Sequence, residues 1–187
     1  MLVTTIIVLL LFCVVGLGIS QRHILMVEVM TMTGGEPPPL LDATGESPGT
    51  VWFDDYFTIE EIVPGTWAIG EPRYPQQNFN YLIIGHERAL LFDAGPGVRN
   101  ILPVAESLTD LPIIFLPSHF HYDHVGNGVN FQQRAVVDLP YLRARTQGDQ
   151  LTFTDMEHLG SVEGFPLPTW KVDHWWAPGD KIELGGR

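Results

Sequence analysis

Four side chains in the run Ser118-His-Phe-His-Tyr-Asp-His124 are of the types that hold metal ions and move protons: His119, His121, Asp123 and His124. Imidazole nitrogen and carboxylate oxygen suit zinc and, to a lesser degree, iron or manganese. In an extended backbone residues i and i+2 point to the same side, so His119 and His121 can grip one metal together. Asp123 and His124, on the turn that follows, can face a second. Water bound to such a metal loses its proton near neutral pH and becomes the nucleophile, with Asp123 accepting its hydrogen bond. No Ser or Cys nucleophile is then required. The competing reading is an ordinary surface histidine cluster. Three of the chain's seven histidines fall within six residues, with a carboxylate among them, and that clustering favours the metal.

Composition narrows the alternatives. Cys13 is the sole cysteine of the 187 residues, so an intrachain disulfide and a Cys-rich zinc site are both excluded. The net charge of −12 disfavours a phosphate backbone as partner, which points to a small-molecule substrate and away from nucleic acid. With 45% hydrophobic and 17% charged residues, the chain fits a globular domain plus one very apolar segment. That segment is residues 2–19, which carry no charge. At 18 residues it sits near the lower limit for a membrane-spanning helix, and the small residues around Gly16, Gly18 and Ser20 resemble a signal-peptidase site. A signal peptide or membrane anchor is therefore expected over residues 1–20. The expected location is periplasmic, secreted or membrane-attached. Residues 21–50 contain Gly34-Gly35 and Pro37-Pro38-Pro39 and read as a flexible linker. The globular part begins near Val51 and runs to residue 187.

Elements that position the four side chains are mostly short and apolar. Residues 57–63 and 66–69 read as a hairpin turned by Pro64-Gly65. Residues 80–84 and 89–92 read as the next strands, the second ending at Asp93-Ala-Gly-Pro-Gly97, which has loop chemistry. Helical spacing over 98–108 leads to a continuous apolar strand at 112–116, directly before the histidine run. Further on, 135–138 reads as a strand and 141–146 as a helical turn. Residues 171–176 and 181–184 read as strands joined by Gly179-Asp180. A β meander followed by β-α-β predicts a layered α+β or αββα domain.

The run His119-Phe-His-Tyr-Asp-His124, with Asp93-Ala-Gly95 closing an earlier strand, resembles the metallo-β-lactamase superfamily. Asn80-Tyr-Leu-Ile-Ile84 and Ala89-Leu-Leu-Phe-Asp-Ala-Gly95 resemble that family's opening strands, and Gly179-Asp-Lys-Ile-Glu-Leu-Gly185 a later turn and strand. The resemblance covers residues 57–187. It implies an αββα sandwich in which His119 and His121 bind a first metal and Asp123 and His124 a second, with Asp93 supporting the metal loop by hydrogen bonds. It also implies a third histidine for the first metal, a bridging Asp and a final histidine, none of which is matched before Arg187. The expectation is thus the first half of the sandwich, with an exposed apolar sheet face. His158 and His174 come too early to be the missing ligands. His174, beside Trp175 and Trp176, reads as a strand histidine or a pocket wall.

The function implied is hydrolysis of an ester, thioester, lactone, amide or lactam by metal-activated water, with two zinc ions in the complete protein. A non-heme iron thiol dioxygenase of the same fold is the alternative from another class. An inactive truncated remnant is a third. His121 stands where the diiron reductase branch has Glu, which argues against that branch.

Overall fold

A computed structural model describes residues 21–43, 46, 48 and 50–186. The apolar stretch 2–19, and the leader or anchor expected of it, lie outside those residues. Among the described residues no helix is long and apolar enough to cross a membrane. The expected linker needs correction over residues 22–33. Helix α1 (Arg22–Thr33) occupies them, because RHILMVEVMTMT contains neither Gly nor Pro. The helix stops at Gly34, whose N–H donates to Met30 O, and Val27 is its buried residue.

After β1 (Val51–Trp52), four strands form an antiparallel meander: β2 (Thr58–Val63), β3 (Thr66–Gly70), β4 (Phe79–Ile84) and β5 (Ala89–Phe92). Helix α2 (Leu102–Leu108) then crosses to β6 (Ile113–Leu116), which lies parallel to β5. The helix is shorter than the 98–108 expected. Residues 98–101 belong instead to the loop stitched down by Asn127, and Pro103 sits in the helix's first turn, where its missing N–H costs nothing. The histidine run follows β6 and contains the single-turn helix α3 (Tyr122–Val125). Strand β7 (Gln133–Val137) continues the parallel half of the sheet.

Helix α4 (Pro140–Ala144), β8 (Thr146–Gln147), β9 (Gln150–Thr152), helix α5 (Asp155–His158) and β10 (Thr169–Lys171) come next, and β8, β9 and β10 make a small antiparallel sheet. The chain then rejoins the large sheet as β11 (His174–Trp176), parallel to β7. The single strand expected over 171–176 is therefore two strands in different sheets. Asp173 makes the switch: its N–H donates to Arg134 O, and its carboxylate accepts the Arg134 N–H. Trp170 can then point into the core while Trp175 and Trp176 sit on the large sheet. The strand expected at 181–184 is a loop. It runs along the β4–β5 turn, with Leu184 O accepting from Glu87 N and Arg88 N, and forms no ladder.

Alternation along the strands divides the apolar side chains between two faces. Leu82, Leu91, Phe115 and Val136 join the main core with Tyr56, Phe57 and Trp170. Leu90, Ile114, Leu116 and Ala135 face the other way and pack under Leu184, with Ile182 and Trp176 partly buried beside them. The second face is thus covered in part by the loop 181–186, rather than left bare as expected. Mixed α/β layering around one large sheet with few helices matches the fold expected from the sequence.

Trp170 closes the main core. Its ring lies 5.3 Å from Phe115 and 4.7 Å from Phe153, both nearly edge-on. Replacing a fully buried Trp by Ala removes this packing and leaves a cavity, a loss of about 3–5 kcal/mol. Trp170→Ala should lose that much in urea unfolding. A loss below about 1 kcal/mol would show that the indole is not part of the closed core.

Candidate metal centre

Two loops bring the chemistry together, one after β5 and one after β6. Parallel strands place both loops at the same end of the sheet. Asp93 closes β5 with φ of +65°, a left-handed conformation that Asp tolerates better than most side chains. Its two carboxylate oxygens then divide the work. Oδ1 accepts the Ser118 N–H at 2.7 Å, and Oδ2 lies 2.9 Å from His124 Nδ1. One carboxylate thereby ties together the start and the end of the histidine run.

The two loops are also laced through their backbones. Ala94 N–H donates to His124 O, and Gly126 N–H donates to Gly95 O. The approach at Gly126 is too close for any side chain, since a Cβ there would lie 2.0 Å from Pro96 O. Gly95, with φ of +60°, is likewise fixed as glycine, because a Cβ would meet Glu71 Oε1 at 1.7 Å. Buried Asn127 completes the lacing by donating to Ala94 O and Arg99 O.

The expected metal-binding side chains converge as a result. The His119 ring centre lies 4.5 Å from that of His121 and 4.1 Å from that of His124. His124 Nε2 lies 3.5 Å from Asp123 Oδ2. With His124 Nδ1 engaged by Asp93, Nε2 is the atom left to face outward with Asp123. Ser118 Oγ holds His119 in the same manner, 2.9 Å from Nδ1. His119 and His121 are exposed, while Asp123 and His124 are half-buried.

Electrostatics differ between the rings. Burial, together with the neighbouring His124 and His121, lowers the His119 pKa and keeps its lone pair available. Burial also acts to lower that of His124. The hydrogen bond and charge of Asp93, with Asp123 behind it, outweigh burial, and the net shift is upward.

Among the described residues no three His, Cys, Asp or Glu side chains are closed about one point as a finished metal centre. The donors nevertheless form the nitrogen and oxygen set that a zinc-like cation takes, they crowd one another within a few ångström, and two of them are oriented by hydrogen bonds from behind. That chemistry and that orientation fit a divalent cation.

His158 and His174 stand apart from this arrangement. His158 is buried, and its Nδ1 accepts the Gly160 N–H. Burial lowers its pKa. His174 lies on β11, 3.3 Å from Gln133 Oε1 and stacked on Trp176.

Sequence reading missed the residues beneath the loops. Asn78 donates from Nδ2 to the Asp123 carbonyl and, at 3.3 Å, to its Oδ2. Gln76 donates to Tyr122 Oη at 2.6 Å. Fully buried Glu71 accepts from Tyr56 Oη at 2.8 Å and Asn80 Nδ2 at 2.9 Å, while Asn80 Oδ1 accepts the Gly95 N–H. No local pattern marks these residues, because their partners lie 9 to 46 positions away.

A cleft of about 360 Å³ opens beside His119 and His121. The segment 117–121 forms one wall, and Val137, Leu139, Tyr141 and Leu142 form the other. A hollow of about 510 Å³ lies elsewhere, between residues 102–113 and 130–133, and none of the clustered histidines lines it. The smaller cleft is the one next to the chemistry.

The sequence profile of the metallo-beta-lactamase superfamily matches residues 73–185. The chain belongs to that superfamily. Members of the superfamily usually bind metal ions. Acyl-coenzyme A thioesterase MBLAC2 of Gallus gallus is 26% identical over 154 residues, covering 71% of this chain and 55% of that protein. A metallo-beta-lactamase variant from Cronobacter sakazakii aligns with a TM-score of 0.46 and 21% identity over 68% of this chain and 50% of the other. One from Pontibacter korlensis aligns with a TM-score of 0.40 and 18% identity, over 54% and 57% respectively. The chain spans about half the length of the relatives it matches.

Glu71 yields a test of the scaffold. Burial, against the hydrogen bonds of Tyr56 and Asn80, pushes its carboxyl up from an ordinary 4.5 to about 7. A raised carboxyl contributes stability that is full below pH 4.5, declines as pH rises towards 7 and is absent above. In Glu71→Gln the amide oxygen can accept from Asn80 and the amide nitrogen can donate to Tyr56 Oη, without any titration. The melting temperature of the native protein minus that of the variant should fall between pH 4.5 and 7 and level off above. A difference independent of pH would contradict the buried, proton-holding role.

Proposed function

We propose that this chain carries the metal-binding segment of a zinc-dependent hydrolase that cleaves acyl thioesters. The observation that carries the proposal is the convergence of His119, His121, Asp123 and His124, held by Asp93, beside a cleft whose far wall is Val137, Leu139, Tyr141 and Leu142. The resemblance to an acyl-coenzyme A thioesterase supports the thioester over the ester, lactone and lactam.

His119 and His121 would hold one cation and Asp123 and His124 a second. Bound zinc supplies Lewis acidity, which polarises a carbonyl and brings the pKa of water to about 7. The Asp123 carboxylate accepts a hydrogen bond from the attacking water and aims its oxygen at the acyl carbon. A carbon–oxygen bond forms, the carbon–sulfur bond breaks, and the products are a carboxylic acid and a thiol. Asp93 acts only through others, fixing the His124 ring and the Ser118 backbone. Asn78 does the same for Asp123 by donating to its carbonyl and carboxylate.

The complete protein, purified without chelator, should contain about two zinc ions per chain by elemental analysis. Absence of any transition metal would overturn the proposal. Asp123→Asn keeps size but removes charge, and thioester hydrolysis should fall by roughly 10²–10⁴, the scale of losing a positioned proton acceptor. His121→Ala should also lose activity but recover part of it in excess zinc, whereas Asp123→Asn should not. Near-full turnover by Asp123→Asn with a full metal complement would show that the run is a metal clamp and that another group orients the water.

A further inference from the structure

We infer that the cleft beside His119 and His121 binds the acyl chain of the substrate, that it selects chains of medium length, and that Val137 and Tyr141 set the limit. The inference rests on the thioesterase reading above and adds to it the part of the molecule that recognises the substrate.

Position is the first argument. Ser118, His119, Phe120 and His121 form one wall, so any group in the cleft lies directly against the proposed reacting centre. An acyl carbon placed at the two imidazoles has its chain leading away along the opposite wall. That wall is apolar: Val137 ends β7, Leu139 and Tyr141 flank the start of α4, and buried Leu142 forms part of the floor with Phe120.

Charge is the second argument. No Lys or Arg lines the cleft, and its one carboxylate belongs to Glu157. Arg145 Nη2 lies 2.5 Å from Glu157 Oε2, so that charge is already neutralised. The other cation on this side, Arg143, is paired with Asp138 at 2.7 Å and lies over the Trp175 ring, with Cζ 3.8 Å from its centre. The cleft therefore offers nothing to an anionic tail such as a dicarboxylate or a phosphate, and suits a hydrocarbon. The phosphates of a coenzyme A thioester must lie outside it.

Size is the third argument. A methylene group takes up about as much space as a water molecule, roughly 30 Å³, so a volume of 360 Å³ holds on the order of ten carbons. Tyr141 and Val137 are both exposed at its rim. They can be replaced without opening the core.

The test uses S-alkyl pantetheine thioethers, which cannot be hydrolysed, with chains of 4 to 16 carbons (roughly bracketing that capacity), titrated into the zinc-loaded protein by calorimetry. Affinity should rise about two- to fourfold per added methylene and stop rising at around ten carbons. Val137→Phe, which narrows the cleft, should bring that ceiling down by several carbons. Tyr141→Ala, which widens the cleft, should raise that ceiling. Affinity that ignores chain length, or a ceiling unmoved by Val137→Phe, would overturn the assignment of the cleft. Acyl thioester hydrolysis measured alongside separates the two readings. Length-dependent binding without hydrolysis would sink the thioesterase reading and leave the cleft. Hydrolysis with length-independent binding and KM would do the reverse.

Discussion

One carboxylate holds the candidate centre together. Asp93 receives the Ser118 N–H on one oxygen and meets His124 Nδ1 on the other, so the histidine run is clamped at both ends by a residue from a different strand. Metal-binding side chains on a loop need such support, because imidazole rings rotate freely unless their far nitrogen is engaged. Asp93 makes both contacts with φ of +65°. That backbone is less favoured for a side-chain-bearing residue, and it is sustained by the lacing on either side.

The lacing depends in turn on the sheet. Parallel pairing of β5 and β6 aligns Phe92 with Leu116, and the chain leaves both strands at one edge, so the loops 93–97 and 117–126 are neighbours from the start. Glycine at 95 and 126 allows the backbones to touch, and Asn80, Glu71 and Tyr56 fill the space beneath with hydrogen bonds instead of apolar contacts. A buried carboxyl is an unusual foundation. It works here because burial favours its protonated form, and two polar side chains already meet its oxygens. The ordered chemistry above thus stands on a polar layer, which itself stands on the apolar core of Leu82, Leu91, Phe115 and Trp170.

Much of this was legible from the amino-acid order alone. The strands over 57–92 and 112–116 show as apolar runs between turn residues, and His119, His121, Asp123 and His124 show as a cluster of one chemical type. Asp93 was legible only through the resemblance of Asp93-Ala-Gly95 to the superfamily, because its place before Ala-Gly suits an ordinary turn equally well. Three features were not. The change of sheet between Lys171 and His174 hinges on Asp173 pairing with Arg134, 39 residues earlier. The loop at 181–184 has the composition of a strand, yet its hydrogen bonds go to the β4–β5 turn. Asn78 and Glu71 act through partners distant in sequence, and hydrophobic periodicity carries no record of such pairings. Within the stretch 21–50 the Gly and Pro residues begin only at Gly34, and the helix-compatible run before them forms α1.

The same logic places the cleft. Val137, Leu139 and Tyr141 come to the site because β7 is the next parallel strand and α4 follows it at the same edge of the sheet. The candidate centre and the proposed cleft are therefore adjacent for a topological reason. The most direct measurement of the central claim is X-ray absorption at the zinc edge on the zinc-loaded protein. Nitrogen and oxygen ligands at about 2.0–2.1 Å, with imidazole outer-sphere scattering that weakens in a His119→Ala, His121→Ala double variant and disappears when His124→Ala is added, are the result predicted. Zinc surrounded by oxygen alone, or an imidazole signal unchanged in the triple variant, would contradict it.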